Sequence, residues 1–130
     1  MEEIRIKYEK GREFTAFAGN HKITIDQPLD NGGEDRGPTP TELFLSSLGS
    51  CIGVYVQGFC KRGGVPYEGM ELRVGFEKAE DPYRISKIAV DVTLPEKVTE
   101  ERKKAILKVA EHCLIHNTIA NHPEVTINLS

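Results

Sequence analysis

The sequence predicts an antiparallel α+β fold in the order β-β-β-α-β-β-α-α-β. Two observations carry this. Apolar residues alternate in adjacent short runs, as half-buried antiparallel strands require. One long stretch, capped at its start and apolar nearly all round, separates the first runs from the later ones. Strands that arrive in neighbouring pairs, with the long helix packed on sheet, place the chain in the α+β class as a single domain over residues 1–130.

In the first segment Ile4, Ile6 and Tyr8 share one face, and Lys10-Gly11-Arg12 forms a turn. Phe14–Phe17 and Lys22–Ile25 read as further strands, separated by Gly19-Asn20. Residues 27–38 form a loop. Its Gly32-Gly33 pair reads as a turn, because no strand-loop-helix motif of phosphate-binding spacing surrounds it. Thr39-Pro40-Thr41-Glu42 is a helix start: Thr39 caps, Pro40 suits the first helical position and Glu42 completes a capping box. The helix runs to about Arg62, where Gly63-Gly64 stops it. Leu43, Phe44, Leu45, Leu48, Ile52, Val54, Tyr55, Val56 and Phe59 leave it little polar surface. Such a helix is expected to be central and buried, and a single chain of 130 residues has too little mass to cover it. A partner subunit is therefore expected.

Leu72, Val74 and Phe76 alternate, Asp81-Pro82 turns the chain, and Ile88, Val90, Val92 and Leu94 alternate again before Pro95. Thr99 caps a second helix with Glu100 and Glu101 in its first turn. Ile106, Val109, Ala110 and Cys113 share its inner face. A break near His112 or Cys113 begins a short helix, Leu114–Ala120. His122-Pro123 stops it, and Val125, Ile127 and Leu129 read as a last strand.

The net charge of −3 and the scattered basic residues give no nucleic-acid footprint, so none is expected as a partner. Arg102-Lys103-Lys104 follows Glu100-Glu101 and reads as a solvated helix face. The charged start, Met1-Glu2-Glu3-Ile4-Arg5, has no apolar signal region. The apolar stretch over residues 43–60 is broken by Ser46, Ser47, Ser50 and Gln57, which reads as a core helix and not a membrane span. Three cysteines without a secretory signal fit a reducing, cytoplasmic setting, where a disulfide is more often catalytic than structural.

Cys51 lies inside the long helix and Cys113 follows 62 residues later. Buried thiols are commonly inert packing; a pair of them near a helix start can instead be redox-active. Burial raises a thiol's pKa, so a reactive Cys51 needs help. Arg12 in the first turn and Arg36 in the loop are the candidate activators, and Glu42 is a candidate to orient the arginine as well as a capping residue. Cys60 lies nine residues beyond Cys51, on nearly the opposite helix face, and receives no role. An alternative reading joins Cys51, His112, Cys113 and His116 in a zinc site, with the histidines at i and i+4.

The blocks Gly37-Pro38-Thr39-Pro40-Thr41-Glu42-Leu43-Phe44-Leu45-Ser46-Ser47-Leu48-Gly49-Ser50-Cys51 and Cys113-Leu114-Ile115-His116-Asn117-Thr118-Ile119 resemble the OsmC/Ohr family of cysteine-dependent hydroperoxide reductases. The resemblance spans almost the whole chain. It implies an OsmC-like fold in an intertwined homodimer with the active site at the interface. It further implies that Cys51 attacks an organic hydroperoxide and becomes a sulfenic acid, which Cys113 resolves to a disulfide. No bound cofactor is implied. An external dithiol, such as a lipoyl-bearing protein, would reset the pair. Three positions depart from the pattern of the Ohr branch. Thr41 stands where that branch has its carboxylate, with Glu42 one residue on. Gly11-Arg12 resembles its Gly-Gly-Arg turn only loosely, leaving Arg36 as a rival. Leu114 replaces the Pro that follows the second cysteine.

The sequence thus leads to a cytoplasmic, dimeric thiol peroxidase in oxidative-stress defence. The alternatives are a non-enzymatic small-molecule-binding relative and the zinc site.

Overall fold

The computed structural model describes residues 1–130, which form two compact units, Met1–Leu45 and Ser46–Ser130. The first is a meander of β1 (Arg5–Lys10), β2 (Glu13–Ala18) and β3 (His21–Ile25). β2 is central and antiparallel to both neighbours, with Arg5 opposite Phe17 and Phe14 opposite Ile25. The apolar face foreseen on β1 forms, yet Ile6 and Tyr8 stay exposed, as does Ile4 just before the strand.

The loop after β3 is held from inside by one carboxylate. Asp26 is only 2% exposed. Its oxygens accept from the backbone N–H groups of Gln27 (2.7 Å), Glu34 (3.2 Å) and Arg36 (3.2 Å). The Gln27 N–H is the strongest influence holding this carboxyl below the usual carboxylate range. Burial opposes it, and the Arg36 and Glu34 N–H groups and the Arg36 charge add to it. Gly33 passes so close to this turn that a Cβ there would overlap the Gln27 carbonyl. Its place in the loop is a packing requirement, with no phosphate cradle needed to explain it.

Helix α1 (Pro40–Gly63) begins with the expected capping box. The Thr39 N–H donates to Glu42 Oε1 at 2.9 Å, and the Glu42 N–H donates to Thr39 Oγ1 at 3.1 Å. Within the second unit α1 buries one row at four-residue steps, Leu48, Ile52, Val56 and Cys60. Gly49 and Gly53 let β4 approach this helix. A Cβ at these positions would lie 3.0 Å from Val74 Cγ2 and 3.3 Å from Leu72 Cδ1. By length and composition the helix could cross a membrane, but this row places it in the core of a folded unit. It is less enclosed than the sequence suggests: Val54 and Tyr55 are exposed.

β4 (Glu71–Ala79) and β5 (Arg84–Thr93) form a separate two-stranded antiparallel sheet. Leu72 pairs with Val92, and Val74 with Val90, so their shared face meets the core. α2 (Glu100–Ala110) is capped by Thr99, whose hydroxyl accepts from the Arg102 N–H at 3.2 Å. Arg102 in turn donates to the Gly63 carbonyl at 2.8 Å, tying α2 to the open end of α1. α3 (Leu114–Ala120) follows a break at the expected place. The last expected strand is absent. Residues 122–130 are irregular, and Val125, Ile127 and Leu129 are exposed. Alternation supplies the side chains for a strand, but a strand also needs a ladder partner, and the single chain offers this segment none.

Gly33→Ala is expected to destabilise the fold by about 1–3 kcal/mol in urea unfolding, since backbone must move to admit the methyl. Gly75→Ala, where the added carbon meets open space, is expected to change stability by about 0.5 kcal/mol or less.

Candidate functional site

The break between α2 and α3 builds the site. Had α2 continued, the N–H groups of Leu114 and Ile115 would bond to the carbonyls of Ala110 and Glu111. Instead Cys113 adopts an extended backbone (φ −65°, ψ 140°) and becomes the cap of α3. The orphaned groups on both sides find side-chain partners. Cys113 Sγ accepts from the His116 N–H at 3.1 Å. His116 Nδ1 lies 3.2 Å from the Glu111 carbonyl, and Asn117 Nδ2 donates to the His112 carbonyl at 3.4 Å. The Cys-x-x-His-Asn block therefore closes one helix and opens the next.

This cap places Cys113, fully buried, against half-buried Cys51 of α1. Burial is the largest single influence on Cys51 and pushes its thiol up. The Ile115 N–H, the Cys113 thiol and the Leu114 N–H together outweigh it, so the net direction is down. Cys113 moves the opposite way. Burial raises it most; the His116 N–H opposes that, while donating to Cys51 and facing its negative charge raise it further. The two thiols titrate as a pair in which Cys51 ionises first and Cys113 keeps its proton. A thiolate beside a thiol is the state from which a nucleophile and its resolving partner start. Cys60, by contrast, is buried in the core, and desolvation holds its thiol up against the Arg102 charge.

Arg12, Arg36 and Glu42 each have a partner within the first unit. Arg12 Nη1 donates to the Asn31 carbonyl at 3.2 Å. Arg36 Nε lies 2.8 Å from Glu13 Oε1, an ion pair off the line of a directed hydrogen bond. Glu42 is occupied by its cap, and no arginine pairs with it. All three belong to the first unit and both cysteines to the second. The zinc alternative is overturned. No three His, Cys, Asp or Glu side chains converge in a geometry for a metal ion. The chain break removes His112 and His116 from a common helix face, and His116 Nδ1 is turned to a carbonyl.

Two donors to Cys51 escaped the sequence reading because they are backbone groups, which carry no residue signature. Their one trace was Leu114: a Pro there has no N–H to give. Leu48 and Ile52, the sequence neighbours of Cys51 on α1, line a cavity of about 290 Å³ together with Ser86, Lys87, Ile88, Val90, His116 and Ile119. A larger one of about 500 Å³ lies between β5 and α2, and neither cavity is lined by a cysteine.

The chain matches the family model described as OsmC-like protein over residues 32–128, a span holding both cysteines and all three helices. It belongs to the OsmC-like family. Solved structures share the OsmC-like fold. A Psychrobacter arcticus protein described as a candidate osmotic stress induced and detoxification response protein is 25% identical, with a TM-score of 0.82, covering 95% of this chain and 90% of that one. An OsmC-like protein from Mycoplasma pneumoniae is 20% identical, with a TM-score of 0.76 and coverages of 92% and 87%. The organic hydroperoxide resistance protein OhrB of Bacillus subtilis is 19% identical, with a TM-score of 0.64, covering 93% of each chain. No curated protein matches the sequence.

For this OsmC-like site the backbone donors can be tested one at a time. Leu114→Pro removes a single N–H at a first helical position, where Pro is well tolerated. The pH at which Cys51 becomes half-reactive toward iodoacetamide is expected to rise in this variant. Cys113→Ser, which keeps a hydroxyl as cap and donor, is expected to shift it less than Cys113→Ala.

Proposed function

We propose that this OsmC-like protein is a thiol-dependent peroxidase that reduces organic hydroperoxides in the cytoplasm and contributes to defence against oxidative stress. The observation that carries the reading is the sulfur pair: Cys51 held toward its thiolate, Cys113 beside it and protonated. Fold similarity to the organic hydroperoxide resistance protein OhrB agrees with it.

The Cys51 thiolate attacks the outer oxygen of the hydroperoxide, and the O–O bond breaks. Its electron pair leaves on the alkoxide oxygen, which takes a proton to become the alcohol. Cys51 is left as a sulfenic acid. Cys113 gives up its proton and attacks the Cys51 sulfur, hydroxide leaves as water, and a disulfide forms. An external dithiol, of which a lipoyl group on a carrier protein is one form, reduces it by thiol–disulfide exchange. The apolar residues that Cys51 packs against, Leu48 and Ile52 among them, suit an alkyl substituent. The working form is a homodimer. Exposed Val54 and Tyr55 on α1 and exposed Val125, Ile127 and Leu129 are apolar surfaces that a second copy would cover.

In stopped flow with cumene hydroperoxide, wild type is expected to oxidise at once, Cys51→Ser to react no faster than background, and Cys113→Ser to stop at a trappable sulfenic acid. Equal, slow consumption by wild type and Cys51→Ser would leave a ligand-binding role in place of the enzyme.

A further inference from the structure

The cavity between β5 and α2 takes no part in the chemistry proposed above, and no cysteine stands in its wall. At about 500 Å³ it falls within the range of small-molecule sites, about 300–1,000 Å³. Two kinds of side chain build it. Val92 and Leu94, Val98 of the loop before α2, and Ile106 of α2 belong to the core packing and supply an apolar floor. Leu107, 55% exposed, extends that floor toward solvent. The rest of the lining is charged and comes from three segments: Asp91 of β5, Glu96 and Lys97 of the loop, and Glu100 and Lys103 of α2. All five are exposed. Both signs line one cavity, yet none of the five enters an ion pair. A molecule with an apolar body and one charge of each sign matches such a lining. A head of a single sign meets a like charge beside its partner, which costs affinity.

We propose that this cavity binds a single-chain zwitterionic amphiphile. Its chain lies against Val92, Leu94, Val98 and Ile106. Its anionic group meets Lys97 and Lys103, and its cationic group meets Asp91, Glu96 and Glu100. The site is separate from the sulfur pair, and it stands whether or not Cys51 reduces hydroperoxides.

Calorimetric titration of the reduced protein with N-decyl-N,N-dimethylglycine, kept below the concentration at which it self-associates, tests this. Saturable binding of one molecule per chain is expected. Decanoate and decyltrimethylammonium carry the same chain with a single charge, and each is expected to bind about fivefold more weakly. Lys97→Gln combined with Lys103→Gln is expected to weaken the zwitterion about fivefold and to make decyltrimethylammonium the tighter of the two singly charged probes. Asp91→Asn combined with Glu96→Gln is expected to favour decanoate instead. A general loosening of the fold would not produce this reversal. Leu107→Trp, at an exposed position, is expected to fill the cavity and abolish binding while Cys51 alkylates with iodoacetamide as in wild type. The proposal is overturned if wild type shows no saturable binding, if decanol binds as tightly as the zwitterion, or if Leu107→Trp binds undiminished. It is also overturned if Leu107→Trp splits a dimer in sedimentation, since the cavity would then be a contact between copies of the chain.

Discussion

The contact between the two sulfurs depends on the helix break after Ala110. Continuous helix would consume the N–H groups of Leu114 and Ile115 in its own ladder and carry Cys113 along the inner face of α2. Breaking it costs backbone hydrogen bonds, and a buried break is tolerated only where those groups find other partners. Here the Cys113 sulfur, the His116 ring and the Asn117 amide supply three of them. The N–H groups of Leu114 and Ile115 are what the break leaves over, and they face Cys51. The lowering of the Cys51 thiol is thus a by-product of how the chain ends one helix and starts another.

The opposite wall is set by α1. Its buried row of Leu48, Ile52, Val56 and Cys60, and the glycines that admit β4, fix the rotation of the helix. Cys51 then sits at the margin of the core, half-buried. Deeper placement would raise its thiol further; full exposure would give up its packing against the apolar core. Cys60, inside that row, shows burial prevailing: its thiol is held up against the Arg102 charge, and it packs as a small apolar residue.

Most of this was legible in the sequence where the signal is carried by side-chain type. The capping box at Thr39 and Glu42, the alternation of β4 and β5, and the start of α3 at Leu114 are local patterns, and each forms where its residues say. The family motif singled out Cys51 and Cys113, and the structure sets them side by side. What was not legible depends on partners that are distant or carry no signature. Val125, Ile127 and Leu129 alternate like a strand but have no edge to join. Arg12 and Arg36 stand out as candidate activators because charge is visible in a sequence; their partners, the Asn31 carbonyl and Glu13, are not. The Leu114 N–H was visible only as the absence of a proline.

The central claim is that Cys51 and Cys113 work as one redox pair while Cys60 stands apart. Treating the reduced protein with one equivalent of an organic hydroperoxide, blocking free thiols and mapping the peptides by mass spectrometry tests it most directly. The expected product is a Cys51–Cys113 cross-linked peptide pair with Cys60 alkylated only after unfolding. A disulfide that includes Cys60, or Cys51 and Cys113 both recovered as free thiols, would contradict it.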